Sequence, residues 1–354
     1  MEWVRRETIG HGSFSTVSLA TTSASSTSFP PLIAVKSSGA VCSAALRNER
    51  DVLDDLGDCP EIVRCFGGGT TVENGEEVYN LFLEYASGGN LRDRIKNSGE
   101  GLPEFEVRRF TRSIVKGLRH VHANGYSHCD VKLENVLVFG DGGVKISDFG
   151  LAKRRGVVVD EIRGTPLYLA PEAVNRGEFE SPADVWALGW CVVEMSSGKT
   201  AWCLEEGVGN VMSLMVRIGS GDAPKIPVEL SEEGKDFVRR CFVKDPVERW
   251  TAQMLLDHPF LAVDHDDERS SGSLRCGDED EASVSPRDPF DFPDWNSVND
   301  SVTVCSPVNC SPFSYLVCLP KERISGLVSG NVPDWSVSCD WVNVREVEGS
   351  STVV

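Results

Sequence analysis

The sequence predicts an α+β fold in two lobes: a five-stranded N-terminal lobe with one main helix, a mainly helical C-terminal lobe, and an acidic tail. Three observations predict it. Strand-like and helix-like patterns alternate up to residue 86, helical spacing dominates from 87 to 261, and regular periodicity stops at 262. The 354 residues suffice for one large two-lobed domain or two ordinary domains, with a sizeable core. That domain is placed at 3–261, with lobes 3–86 and 87–261.

In chain order, WVRRETIG (3–10) and STVSLATT (15–22) read as strands around a glycine-containing turn. TSASSTSFPP is a polar connector ending in proline, and LIAVKSS (32–38) is a short apolar strand. AALRNERDVLDDL places Ala45, Leu46, Val52, Leu53 and Leu56 at helical spacing. IVRCFGGGTT (62–71) and EVYNLFLEYA (77–86) complete five strands. After SGGNL (87–91), a helix from 104 carries Val107, Phe110, Ile114, Leu118 and Val121 on one face, with Gly125 as its stop. A second helix is expected at 183–197, and a third at 231–243 with Ser231 as N-cap.

The tail, 262–354, holds 6 Lys+Arg against 17 Asp+Glu and is rich in Ser and Pro. Such a segment buries too little apolar area to offset its ordering entropy, so disorder and a regulatory role are expected. Its PDW repeats (293–295 and 333–335) and Trp341 read either as docking anchors or as loose packing on the domain. The whole chain carries a net charge of −19, which argues against a general nucleic-acid binder but not against a local phosphate site. Twelve cysteines show no CxxC pair, and neither zinc-ligand spacing nor a disulfide framework emerges. The polar N-terminus and the lack of a long apolar run point away from secretion and from the membrane, to cytoplasm, nucleus or both.

Chemistry gathers in the motifs. In GHGSFSTV (10–17), Gly10 and Gly12 let backbone amides approach a phosphate, although Ser15 stands where a third glycine is expected. Lys36, inside the apolar strand IAVK, needs an anionic partner. Glu49 on the following helix and a nucleotide phosphate are the two candidates. GYSHCDVKLEN (125–135) joins Asp130, Lys132 and Asn135 in one loop, and DFG (148–150) brings a further carboxylate.

These parts, in this order, resemble a eukaryotic protein kinase: GxGxF, AVK, a helix Glu, HxDxKxxN, DFG and APE. The resemblance covers residues 3 to 261 and implies ATP and Mg²⁺ as cofactors. Asp130 would be the catalytic base with Lys132 beside it, while Lys36 would bind phosphates and pair with Glu49. Asn135 and Asp148 would hold Mg²⁺. The nucleotide site would comprise Ile9, Gly10, His11, Gly12, Ser13, Phe14, Ser15, Thr16 and Val17. Ala34 and Leu137 would sandwich the base with Val17, the backbone of Glu84 and Ala86 would meet adenine, and Leu83 would be the gatekeeper. Glu172 would pair with Arg249, and Asp184 would brace the catalytic loop.

Lys132 and Thr165 follow the serine/threonine pattern. FLEYASGGNLRD, GYSHCDVKLENVLV, VKISDFGLAK and ADVWALGW are similar to plant MEKK-like MAP kinase kinase kinases, which implies a MAP kinase kinase as substrate. Two alternatives stand beside this: a pseudokinase scaffold acting through its tail, given Ser15 and Cys129, and a Ser/Thr kinase of another group. Ser-Pro pairs at 285–286, 306–307 and 311–312 fit feedback by a downstream MAP kinase, with chance as the competing explanation.

Cys129 stands where many kinases carry an arginine that binds a phosphorylated activation-loop residue. Residues 151–169 contain no serine, and Thr165 and Tyr168 are their only hydroxyl side chains. Receptor and acceptor are missing together, so the loop is expected to be held in place without phosphorylation.

Overall fold

The computed structural model of the chain describes residues 2–12, 15–22, 29–159, 161–200, 202 and 211–262. The expected disorder, Trp anchors and Ser-Pro sites of the tail lie outside the described residues.

Five strands form one antiparallel sheet in the order β1-β2-β3-β5-β4: β1 (Trp3–His11), β2 (Thr16–Thr22), β3 (Leu32–Gly39), β4 (Cys65–Glu73) and β5 (Glu76–Glu84). β3 is central, and its side chains from Ile33 to Ser38 are buried on both faces. Strand alternation sends Ile33 and Val35 to a small outer core with Ala20 and Phe82. The same alternation puts Ala34 and Lys36 together on the inner face.

The helix α1 (Ala44–Leu56) packs on this sheet and buries Leu46, Glu49, Val52, Leu53 and Leu56. Ala45, expected on the apolar face, is exposed instead. A helix of 3.6 residues per turn brings 46, 49, 53 and 56 to one face, and Ala45 falls beside it. The fourth strand begins three residues later than the sequence suggests. Ile62 forms a bridge to Ile146, and Val63 N donates to Ile146 O at 2.9 Å, so this stretch pairs outside the sheet.

The second lobe contains α2 (Leu91–Ser98), α3 (Glu104–Ala123), β6 (Tyr126–Ser127), β7 (Val136–Val138), β8 (Val144–Ile146), β9 (Lys153–Arg154), α4 (Pro171–Arg176), α5 (Ser181–Ser197), α6 (Val211–Ser220), α7 (Glu232–Cys241) and α8 (Ala252–Leu256). α3 ends as expected: Gly125, at φ +77°, donates its N–H to His122 O. α5 is buried continuously from Asp184 to Ser196 and carries Trp186 and Trp190 into the core. Ser231 Oγ accepts from Gly234 N at 3.1 Å, capping α7. Arg249 donates to both oxygens of Glu172, at 2.6 and 3.0 Å, in a fully buried fork. No helix among the described residues is long and apolar enough to cross a membrane.

Candidate active site

The loop from His128 to Asn135, between β6 and β7, is anchored from below by Asp184 in the first turn of α5. Asp184 Oδ2 accepts from His128 N at 2.8 Å, Oδ1 accepts from Cys129 N at 2.9 Å, and His122 Nε2 lies 2.9 Å from Oδ2. Burial alone would raise the Asp184 pKa, but the bonds from His122 and His128 outweigh it and hold the pKa below the usual aspartate value. A fixed carboxylate beneath two successive amides supports Cys129 at φ +67°, a left-handed conformation that costs a non-glycine residue energy.

On this base every polar atom of Asp130 is held. Asn135 Nδ2 donates to Asp130 O at 2.8 Å and to Oδ2 at 3.1 Å. Lys132 Nζ lies 2.9 Å from Oδ2. Thr165 reaches in from the activation segment: its N and Oγ1 donate to Asp130 Oδ1 at 2.9 and 2.8 Å. Lys132 Nζ in turn donates to Thr165 Oγ1 at 2.8 Å. The sequence marks Thr165 as a class marker and as one of two hydroxyl side chains in 151–169, but not its bond to Asp130. The 35-residue separation hides that contact. Gly164 makes the approach possible: it sits at φ +92°, and a Cβ there would run into Cys129 O.

The inner face of β3 presents Lys36 to two carboxylates. Its Nζ donates to Glu49 Oε2 at 2.8 Å and to Asp148 Oδ1 at 2.9 Å. Burial alone would lower the Lys36 pKa, but the two carboxylates outweigh it and push the pKa up. For Asp148 burial opposes and the Lys36 ammonium prevails, so its pKa is lowered. Lysine and Asp148 are therefore both charged. Glu49 is 0% exposed, and there burial wins and raises its pKa despite Lys36. Asp148 sits at φ +64°, another strained residue at a site of chemistry.

A second clamp, invisible in the sequence, ties α1 to the DFG segment. Phe149 N donates to Glu49 Oε1 at 3.3 Å. Asn48 Nδ2 donates to Phe149 O, Gly150 O and Ala152 O at 3.3, 3.1 and 2.9 Å.

The nucleotide-side residues gather above this cluster. Ile9, Gly10 and His11 end β1, with Gly10 paired to Val17 and His11 to Thr16. Gly12 N donates to Ser15 O at 2.7 Å, closing the hairpin tip. Ser13 and Phe14 lie outside the described residues. Val17 faces Lys36 across β2 and β3, and Ala34 faces Leu83 across β3 and β5. Val17, Ala34, Leu83 and Leu137 share the main apolar cluster. Glu84 ends β5, its carboxylate taken by Lys145 at 2.7 and 2.8 Å and its N–H donated to Arg64 O at 2.9 Å. Ala86 follows in the connection between lobes, with its O accepting from Gly89 N at 3.3 Å.

Cys129 is a packing residue in this setting. Burial, with Asp184 next, pushes its thiol pKa far up, so it lacks the thiolate a redox sensor needs. Beside it remains a cavity of about 20 Å³ lined by Cys129, Thr165, Phe179 and Asp184, room for a water.

The family model of the protein kinase domain matches residues 3–261. The chain is 58% identical to mitogen-activated protein kinase kinase kinase 20 of Arabidopsis thaliana, across 98% of this chain and 100% of that protein. It is 36% identical to mitogen-activated protein kinase kinase kinase 18 of the same plant, across 98% and 99%. With mitogen-activated protein kinase kinase kinase 17 the identity is 40%, across 75% and 71%. The chain therefore belongs to the protein kinase family and is a serine/threonine kinase, similar over nearly its whole length to plant mitogen-activated protein kinase kinase kinases.

Proposed function

We propose that this kinase transfers a phosphoryl group from ATP to a serine or threonine of a MAP kinase kinase, and that it does so without phosphate on its activation segment. The observation that carries the reading is the Asp130 cluster: Thr165, at the far end of the activation segment, already bonds the base and Lys132.

ATP and Mg²⁺ suit the residues present. Asp148 offers a charged carboxylate whose side chain is 44% exposed, and a hard cation takes oxygen donors of this kind. Asn135 directs its amide nitrogen at Asp130, which leaves its amide oxygen as the donor for a second cation. Bound Mg²⁺ supplies charge neutralisation at the phosphates. In this reading Lys36 holds phosphate oxygens, and Glu49 keeps Lys36 aimed at them. Asp130 accepts a hydrogen bond from the substrate hydroxyl and takes its proton, while Lys132 offsets charge beside it. Val17, Ala34 and Leu137 cover the base, and Glu84 and Ala86 meet it through the backbone.

The phosphate-independent part has its own support. Tyr168 is buried, and its hydroxyl bonds Glu194 Oε2 at 2.9 Å. Thr165 spends its hydroxyl on Asp130 and Lys132. Neither hydroxyl of residues 151–169 is therefore presented for modification. The MAP kinase kinase as substrate rests on the likeness to the plant relatives.

The test is radiolabel transfer from ATP to an inactive MAP kinase kinase. Wild type should label it, and Lys36→Met and Asp130→Asn should not. Equal labelling by wild type and Asp130→Asn would defeat the reading.

A further inference from the structure

We propose that Glu180 is a positioning residue: from the N-terminal end of α5 it supplies the fixed anion that holds the start of the activation segment. The inference rests on the phosphate-independent reading above and names the group that makes it possible.

β9 is the first part of the segment after DFG, and it pairs with β6, with Ser127 opposite Lys153. β6 runs directly into His128, Cys129 and Asp130. The position of β9 is thus tied to the catalytic loop through one short ladder of two residue pairs. Lys153 lies in that ladder with its side chain only 4% exposed. A buried ammonium needs an anion. Glu180 Oε1 is that anion: it lies 2.6 Å from Lys153 Nζ and accepts from Gly156 N at 3.2 Å.

One carboxylate oxygen therefore joins β9 and the turn behind it to α5. The same helix carries Asp184, which anchors the catalytic loop from its other side. Glu180 Oε2 is buried with no hydrogen-bond partner among the described residues, so the carboxylate is held through Oε1. Phe179, its neighbour, accepts from Cys129 Sγ at 3.8 Å. The small residue at 129 and the anion at 180 therefore belong to one packing arrangement.

The side-chain tethers of the two residues that follow, Arg154 and Arg155, are more exposed. Arg154 bonds Asp55 at 2.5 Å with side chains 62% and 48% exposed, and Arg155 donates to His122 O on the surface. Pairs open to water contribute little. Of these three Lys153 with Glu180 is the least exposed, at 4% and 34% for the two side chains, and β9 connects through its ladder with β6 to the loop that holds Asp130.

The experiment uses the full chain, made in bacteria and treated with phosphatase, and measures steady-state kinetics and melting of wild type, Glu180→Gln, and Lys153→Met/Glu180→Gln. Glu180→Gln keeps size and removes charge. The double variant removes the stranded ammonium too, so it should melt within about 3 °C of wild type. Both should lose at least about tenfold in kcat with KM for ATP changed less than about twofold. The charge-swapped pair, Lys153→Glu/Glu180→Lys, should recover part of the loss. Wild-type kcat in the stable double variant would overturn the role of Glu180 and leave the phosphate-independent reading standing. A dead phosphatase-treated wild type would instead overturn that reading, and Glu180 with it.

Discussion

Replacing Thr165 by valine should disable the kinase without unfolding it. Valine keeps the shape and β-branching of threonine and removes one hydroxyl. That hydroxyl donates to Asp130 Oδ1 and accepts from Lys132 Nζ, both at 2.8 Å. The Asp130 and Lys132 side chains are only 10% and 21% exposed, so water screens these bonds weakly. Each hydrogen bond to a charged group is worth about 1.5–3 kcal/mol. The Thr165 N–H bond to Asp130 survives the change, so the lower end applies and the loss sums to about 3 kcal/mol. At about 1.36 kcal/mol per decade this is roughly a 150-fold fall in kcat. KM for ATP should move less than about twofold, because Lys36 and Asp148 are untouched. Thr165→Ser should restore most of the rate. A Thr165→Val enzyme within about fivefold of wild-type kcat would refute the claim that this hydroxyl orders the base.

Three further outcomes follow from the same geometry. Gly164→Ala should cost more than about tenfold in kcat, since the new Cβ meets Cys129 O and φ +92° disfavours alanine; an equally active variant would show that the segment has slack there. Arg249→Met leaves the buried Glu172 carboxylate without its fork and should cost about 3–5 kcal/mol. Calorimetry should record that as a fall in Tm of roughly 6–15 °C. Cys129, its thiol pKa raised by burial, stays protonated at neutral and mildly alkaline pH, whereas Cys42 is exposed. Brief iodoacetamide treatment of native enzyme at pH 8 should therefore label Cys42 and spare Cys129 in peptide mass spectra.

What the sequence revealed, and what it hid, divides along chemical lines. Lys36, Glu49, Asp130, Asn135 and Asp148 stood out through motifs that resemble the kinase family's, and the fold brings Lys36 to Glu49 and Asp148, and Asn135 to Asp130. The buried helix at α5 was legible from an unbroken apolar run. The exposure of Ala45 was not, because an apolar count treats alanine as core and does not see that a carboxylate, Glu49, holds the buried stripe. Ile62 and Val63 look like strand residues, and they do pair, but with Ile146 in the other lobe. The Asn48 clamp and the bond from Thr165 to Asp130 link positions 101–104 and 35 residues apart. Lys153 with Glu180 spans 27. No local pattern marks these partners, since their meaning lies in which segments the fold brings together.

The central question for this kinase is whether its activation segment works unphosphorylated. The direct measurement is the rate of phosphorylation of an inactive MAP kinase kinase by bacterially made enzyme, before and after phosphatase treatment, with residues 151–169 mapped by mass spectrometry. No phosphate is expected in that stretch, with a treated kcat within about twofold of the untreated value. A loss of more than about tenfold, with the removed phosphate placed in 151–169, would contradict it.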